Sequence, residues 1–243
     1  MLKRFLSVLL AVCTSADFVP VSSAYAKSYP GTYGTGTVYA SSRNIINRVA
    51  AQMQKRRSKI ILYYTGSTDS FFDNYDGFFY LSTPTSHQYA LDTMYNIDFY
   101  DYDSDKEGYS KYILIPKYKL SDKQEKATQR KVHAILKRLH LRGSAYKKAL
   151  QINDYIVKHV RYSYNPCTAY DALVKGRGNC QAYSEAFYLL ALKSGIKVKM
   201  VEGNAQGAHQ WNFFKSGRTW YSIDVCWNDS YHDHTWIKKG LYE

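Results

Sequence analysis

The chain has 243 residues, 45% of them hydrophobic, and a formal charge of +13 from 33 Lys and Arg against 20 Asp and Glu. That length holds one large domain or a smaller domain with an extension. Four cysteines are too few for a disulfide-dense scaffold, and no apolar run beyond the first residues is long enough to span a bilayer.

The N-terminus reads as an export signal. Met1-Leu2-Lys3-Arg4 is a short basic head, Phe5 to Cys13 is a brief apolar run, and Ala24-Tyr25-Ala26 is a small-x-small cleavage site. Residues 1–26 are therefore expected to be a signal peptide, with a mature chain that starts near Lys27, carries no transmembrane segment and is secreted or associated with the cell envelope. A lipid anchor on Cys13 is the rival, but Val12 stands where a small residue is needed. A basic exported protein is drawn to anionic surfaces such as wall polymers or lipid headgroups, and plain solubility accounts for the charge equally well. No Lys/Arg cluster interleaved with aromatics matches a nucleic-acid motif, so no nucleic-acid partner is expected.

Residues 27–40, rich in Gly, Thr, Ser and Tyr, read as a flexible leader. Ile46, Val49 and Met53 then recur at helical spacing, closed by the basic run at 54–59. Short apolar runs at 60–64, 78–81, 97–100 and 112–116, parted by turn-rich polar segments, predict strands. Residues 41–120 thus make a strand-rich accessory region. Ser121 and Gln124 form a capping-box signature ahead of an apolar face of Val132, Ile135, Leu136 and Leu139. A second helical face follows at Ala149, Ile152, Ile156 and Val160, and Pro166 marks its break. Helices segregated from an antiparallel sheet predict an α+β fold, with residues 121–243 as the functional domain.

Gly176 and Gly178 precede Cys180, and residues 181–192 are good helix formers that Gly195 stops. Cys180 therefore falls at or near a helix N-terminus, where N–H groups and the dipole favour a thiolate and can hold an oxyanion. A buried small hydrophobe is the plainer fate of a lone cysteine. Two strands, 209–214 and 219–225, flank a tight turn. With Ser216 and Gly217 at its centre, His209 faces Asp224 directly, a pairing in which the carboxylate holds one ring nitrogen and the other points outward. Cysteine, imidazole and carboxylate together suit nucleophilic acyl transfer. Trp211, Trp220 and Trp227 are candidates to line a substrate groove.

These pieces carry a resemblance. The small-turn-Cys-helix at Gly178 to Ala186, Glu202-Gly203 after a strand, His-x-Trp-Asn at 209–212 and Trp-Tyr-x-x-Asp-Val-x-Trp at 220–227 resemble the transglutaminase-like core of the papain-like cysteine enzymes. The helix with the pattern at 152–164 is similar to exported bacterial members. The resemblance implies a papain-like core with Cys180 as nucleophile, His209 as general base and acid, and Asp224 orienting His209. It implies a peptidase, amidase or acyltransferase acting on a protein or peptide substrate; no cofactor is expected, while calcium, which some animal relatives use, stays open. It does not identify an oxyanion side chain. Cys226 departs from the pattern, since similar sequences often carry Thr there. With Cys13 removed, three cysteines remain, and a disulfide between Cys167 and Cys226 is one arrangement that leaves Cys180 as a thiol. A different class of function stays open: a non-catalytic cell-surface or wall-binding module on the same fold.

Three other signals are weak. The acidic run at 101–108 has Lys106 and Tyr112 where an EF-hand loop needs Gly and Glu. His232-Asp233-His234 lacks a matching ligand set for zinc. Asn228-Asp229-Ser230 is a three-residue glycosylation match and no more.

Overall fold

The computed structural model describes residues 28–76, 87–205 and 207–240, with side chains at 74–76 outside the description. The segment expected as a signal peptide and the strand expected at 78–81 lie outside the described residues. The chain divides into two compact units between Asp122 and Lys123.

The first unit is built on a five-stranded sheet. Its strands are β1 (Tyr29–Pro30), β2 (Thr35–Ser41), β3 (Lys59–Thr65), β4 (Met94–Tyr102) and β5 (Ser110–Tyr118). β5 is the hub, pairing antiparallel with β1, β3 and β4. β2 runs parallel to β3, and helix α1 (Ile45–Gln54) makes the crossover between them. Two shorter helices, α2 (Thr68–Asp76) and α3 (Gln88–Asp92), complete the unit. The apolar stripe of α1, with Ile45, Ile46, Val49, Ala50 and Met53, is buried in one cluster with Val38, Ile60, Leu62, Leu114 and Tyr118. The segment expected as a flexible leader is thus part of the sheet. Its Gly and Thr composition hid a strand whose Val38 and Ala40 alternate into the core.

The second unit begins with α4 (Asp122–Leu139) and α5 (Ala145–His159). A short parallel pair, β6 (Arg161–Tyr162) and β7 (Arg177–Gly178), brackets α6 (Ala169–Lys175). Then come α7 (Cys180–Lys193), β8 (Val198–Asn204), β9 (Ala208–Ser216), β10 (Thr219–Ile223), α8 (Val225–Tyr231) and β11 (Ile237–Lys239). The last four strands form an antiparallel sheet in the order β11-β10-β9-β8. α7 is the central helix. Residues 182 to 191 are all buried along it, which is how a helix apolar nearly all round must sit. The unit is therefore α+β.

Two elements were not legible beforehand. α6 begins with a capping box in which Thr168 and Asp171 bond reciprocally. α8 replaces the expected continuation of the strand past Asp224, because Asp224 caps a helix there. Among the described residues, no helix is long and apolar enough to cross a membrane.

Candidate active site

The site starts from how the chain delivers Cys180. α6 ends at Gly176, whose φ of 73° is a left-handed C-cap. Gly178 follows, and a Cβ there would stand 2.3 Å from that of Ala182. Only glycine lets the strand leading to the site pass so close to the first turn of α7. Asn179 is the N-cap, its side chain accepting from the Ala182 N–H at 3.2 Å. Its own N–H donates to Pro166 O at 2.8 Å. Cys180 is then the first residue of α7, held from both sides and part-exposed.

α7 is locked to β9 by side chains on the inner face of the sheet. Ser184 Oγ donates to Trp211 O at 3.1 Å, and Asn212 Nδ2 donates to Ser184 O at 3.2 Å and Lys199 O at 3.4 Å. Phe187 meets Phe214 a turn further on. Asn212, fully buried, is a tie between helix and sheet. These bonds fix the spacing between the start of α7 and the start of β9, where His209 stands.

His209 Nε2 lies 2.5 Å from Asp224 Oδ2, with both side chains 9% exposed. The ring also interacts with Cys180, the first residue of α7. Burial pulls the His209 pKa down, but the bonds to Asp224 and Cys180 outweigh it and raise the pKa to about 9. The second oxygen of Asp224, Oδ1, accepts the Trp227 N–H at 3.0 Å. One carboxylate thus orients the imidazole and caps α8.

The route to this contact differs from direct cross-strand opposition. β9 and β10 pair with Ser216 opposite Thr219 and Asn212 opposite Ile223, so Gly217 and Arg218 are the turn. A shift of two residues keeps every side chain on its face. Asp224 lies just past the end of β10 and reaches His209 diagonally.

Of the three groove candidates, Trp227 stacks on His209, with ring centroids 4.7 Å apart and planes 19° from parallel, and Trp211 lies at 5.9 Å. Trp220 is elsewhere, opposite Lys215 on the sheet and beneath Lys197 and Lys199. Trp236, which no motif pointed to, packs edge-on against Trp227 at 4.3 Å. α8 is held by Asn228, whose Nδ2 donates to Asn153 Oδ1 at 2.8 Å and whose Oδ1 accepts from the Trp236 N–H at 3.0 Å. Tyr183, one turn beyond Cys180, donates to Asp229 Oδ2 at 2.6 Å and so ties α7 to α8. Asn228 and Asp229 are therefore structural positions facing inward, against a glycosylation role.

The expected bridge between Cys167 and Cys226 is not formed; both are buried thiols. Cys226 sits on the first turn of α8 instead of a strand, so its side chain takes a helical direction. Burial, with the charges of Asp224 and Cys180 nearby, pushes its pKa upward. Such a thiol is unreactive at neutral pH. His234 pairs with Asp154 at 2.6 Å. Among the described residues no group of three or more His, Cys, Asp or Glu is placed to hold a metal ion.

Residues 134–238 match the family model described as the transglutaminase-like superfamily. Among solved structures, a TGase aligns with TM-score 0.39 and 11% identity over 69% of this chain and 50% of its own. A proposed cysteine protease from Cytophaga hutchinsonii aligns with TM-score 0.38 and 14% identity over 59% of this chain and 65% of its own. A proposed protease from Parabacteroides distasonis ATCC 8503 gives TM-score 0.29 and 7% identity over 70% and 44%. The chain spans less than two thirds of each of these proteins. No curated protein matches the sequence.

Proposed function

We propose that the protein, whose residues 134–238 match the model of the transglutaminase-like superfamily, is a cysteine-dependent acyl-transfer enzyme acting on peptide or side-chain amide bonds, with Cys180, His209 and Asp224 as its triad. What carries this reading is the position of His209, bonded through Nε2 to the buried carboxylate of Asp224 and interacting with Cys180 at the start of α7. With its pKa raised to about 9, His209 is an imidazolium at neutral pH, which is the partner a thiolate needs.

The steps follow from those protonation states. The Cys180 thiolate attacks the amide carbonyl and the C–S bond forms. First-turn N–H groups of α7 are the nearest donors for the oxyanion. As the C–N bond breaks, His209 gives its proton to the leaving amine. The resulting thioester is attacked by water or a second amine, whose proton His209 takes, and the acyl group leaves Cys180. Water as acceptor makes a peptidase or amidase; an amine makes a cross-linking or transfer enzyme. Trp227 and Trp211 beside His209 shield one side of the ring and lower the local dielectric. Asp224 takes no proton; it holds the ring and stabilises its charge.

Mass spectrometry of the protein incubated with a peptide thioester or activated ester tests the reading. A mass increase of one acyl group on Cys180, absent in Cys180→Ala, is expected. Label elsewhere, or a Cys180→Ala variant that keeps all biological effect, would move a binding-module role to the front. The expected export segment at 1–26 places this activity outside the cell or at its envelope; N-terminal sequencing of protein recovered from the medium checks that.

A further inference from the structure

The charge is unevenly shared. Residues 123–243 hold 20 of the 33 Lys and Arg but only 9 of the 20 Asp and Glu. Part of this surplus falls on one face of the sheet that carries His209. β9 alternates, so Gln210, Asn212 and Phe214 face α7, while Trp211, Phe213 and Lys215 face the other way; His209, near the start of the strand, shares their parity and reaches Cys180 at the first turn of α7. Register extends this outer face across the sheet. Lys199 lies opposite Phe213, and Trp220 opposite Lys215. Lys197 and Lys199 are exposed, with ammonium groups 5.8 and 5.5 Å from the Trp220 ring centroid. Among the described residues, no strand position on this face carries a carboxylate, and none of Lys197, Lys199 and Lys215 is in an ion pair. Such a face attracts negative charge and has aromatic rings for side chains to lie on.

The edge of the same sheet says what form the negative charge takes. β8 is an edge strand, and an edge presents a row of backbone donors and acceptors to an incoming chain. Gly203 on that edge is opposite His209. A peptide added beside β8 would run from the lysines towards the catalytic base, with alternate side chains over the outer face. From Lys215 to His209 the strand covers about 20 Å, enough for roughly six substrate residues.

We propose that the substrate is an acidic peptide segment, bound on the outer face of the β8–β11 sheet by Lys197, Lys199 and Lys215 beside Trp220 and led along the β8 edge to His209. This rests on the acyl-transfer reading above and names its substrate class.

Binding is measured apart from chemistry. Fluorescein-labelled decapeptides rich in Glu, in Lys, or in neither are titrated into the full-length Cys180→Ala protein, with fluorescence anisotropy as the readout. The Glu peptide is expected to bind best, with affinity falling about tenfold or more between about 0.05 and 0.5 M salt. The triple variant K197E/K199E/K215E, checked for its fold by circular dichroism, is expected to lose the Glu peptide about tenfold and to gain the Lys peptide. That reversal is something a merely unfolded variant cannot produce. Equal binding of the three peptides, an unchanged triple variant, or inorganic polyphosphate competing better than unlabelled Glu peptide would overturn the proposal. With Cys180 restored, acyl-group capture by the triple variant reports on the acyl-transfer reading independently, so the two can fail separately.

Discussion

Trp227 lies flat against His209, ring on ring at 4.7 Å, while its own backbone N–H is held by the carboxylate that orients the imidazole. The two residues are therefore positioned by one group, Asp224. The indole face favours the imidazolium over neutral imidazole, as a cation over an aromatic ring does. Trp227→Ala removes that face and opens one side of the ring to water. Loss of the indole face lowers the His209 pKa and relief of burial raises it; with the indole contact the larger, the expected result is a pKa lower than in the parent, read by NMR titration of the ring, and a kcat/KM reduced about tenfold or more. Trp227→Phe is expected to restore much of both. An unchanged ring titration in Trp227→Ala would mean the stacking carries no electrostatic weight.

Asp224→Asn separates orientation from charge. The amide still offers an oxygen to cap α8, so the cap itself is expected to lose little, about 1 kcal/mol or less, and the larger part of the drop in melting comes from the lost ion pair with His209. It cannot neutralise the imidazolium and it offers an N–H where His209 needs an acceptor. Turnover is expected to fall by about three orders of magnitude or more, with little change in substrate binding. Steady-state kinetics with thermal melts on the same preparations measures both. A variant that melts like the parent yet keeps most of its turnover would remove Asp224 from the triad.

The elevated His209 pKa also has a stability consequence. Burial would depress it, but the bonds to Asp224 and Cys180 raise it to about 9, above the ~6.5 of an unfolded chain. The protonated ring therefore favours the folded state. That contribution is full below about pH 6.5 and is lost as pH climbs through about 9. It is on the order of 3 kcal/mol at its fullest. Urea unfolding from pH ~6 to pH ~10 is expected to show the parent weakening over that window and His209→Ala staying nearly flat. Equal slopes in the two proteins would contradict the ion pair.

Gly178→Ala probes delivery of the nucleophile. The added Cβ meets Ala182 at 2.3 Å, so either β7 or the first turn of α7 must move. The expected cost is about 1–3 kcal/mol, with Cys180 displaced and turnover lost beyond what the melt explains. Gly178→Ala with Ala182→Gly gives the space back and is expected to recover part of both, which activity assays alongside thermal melts will show.

How much of this was legible in the sequence varied with the physics behind each feature. The start of α7 was readable because two glycines and an uninterrupted helical run state their meaning locally, while the Asn179 cap emerged only in the structure. The His209–Asp224 contact was foreseen in its faces and missed in its register. Face depends only on parity, while register depends on a turn whose centre moved by one residue and so shifted the pairing by two. α8 was hidden because Asp224 serves equally as the last residue of a strand and the cap of a helix. The strand at Thr35–Ser41 was hidden by its Gly and Thr content, and only its parallel partner β3 gives it a reason to be ordered. Asn212, Asn228 and Trp236 act through partners far along the chain, which no local spacing encodes. The Cys167–Cys226 bridge rested on counting alone, and counting is silent about side-chain direction.

The central claim is that Cys180 and His209 form an activated pair, and the most direct test is the rate of Cys180 alkylation by iodoacetamide near pH ~6, in the parent and in His209→Ala. Most ordinary thiols react slowly there, since a free cysteine titrates near ~8.5. Fast labelling of Cys180 in the parent, at least about tenfold faster than in His209→Ala and located by peptide mass spectrometry, is the predicted result. Equal, slow labelling in both proteins would mean that His209 does not activate Cys180, and the acyl-transfer function would fall with it.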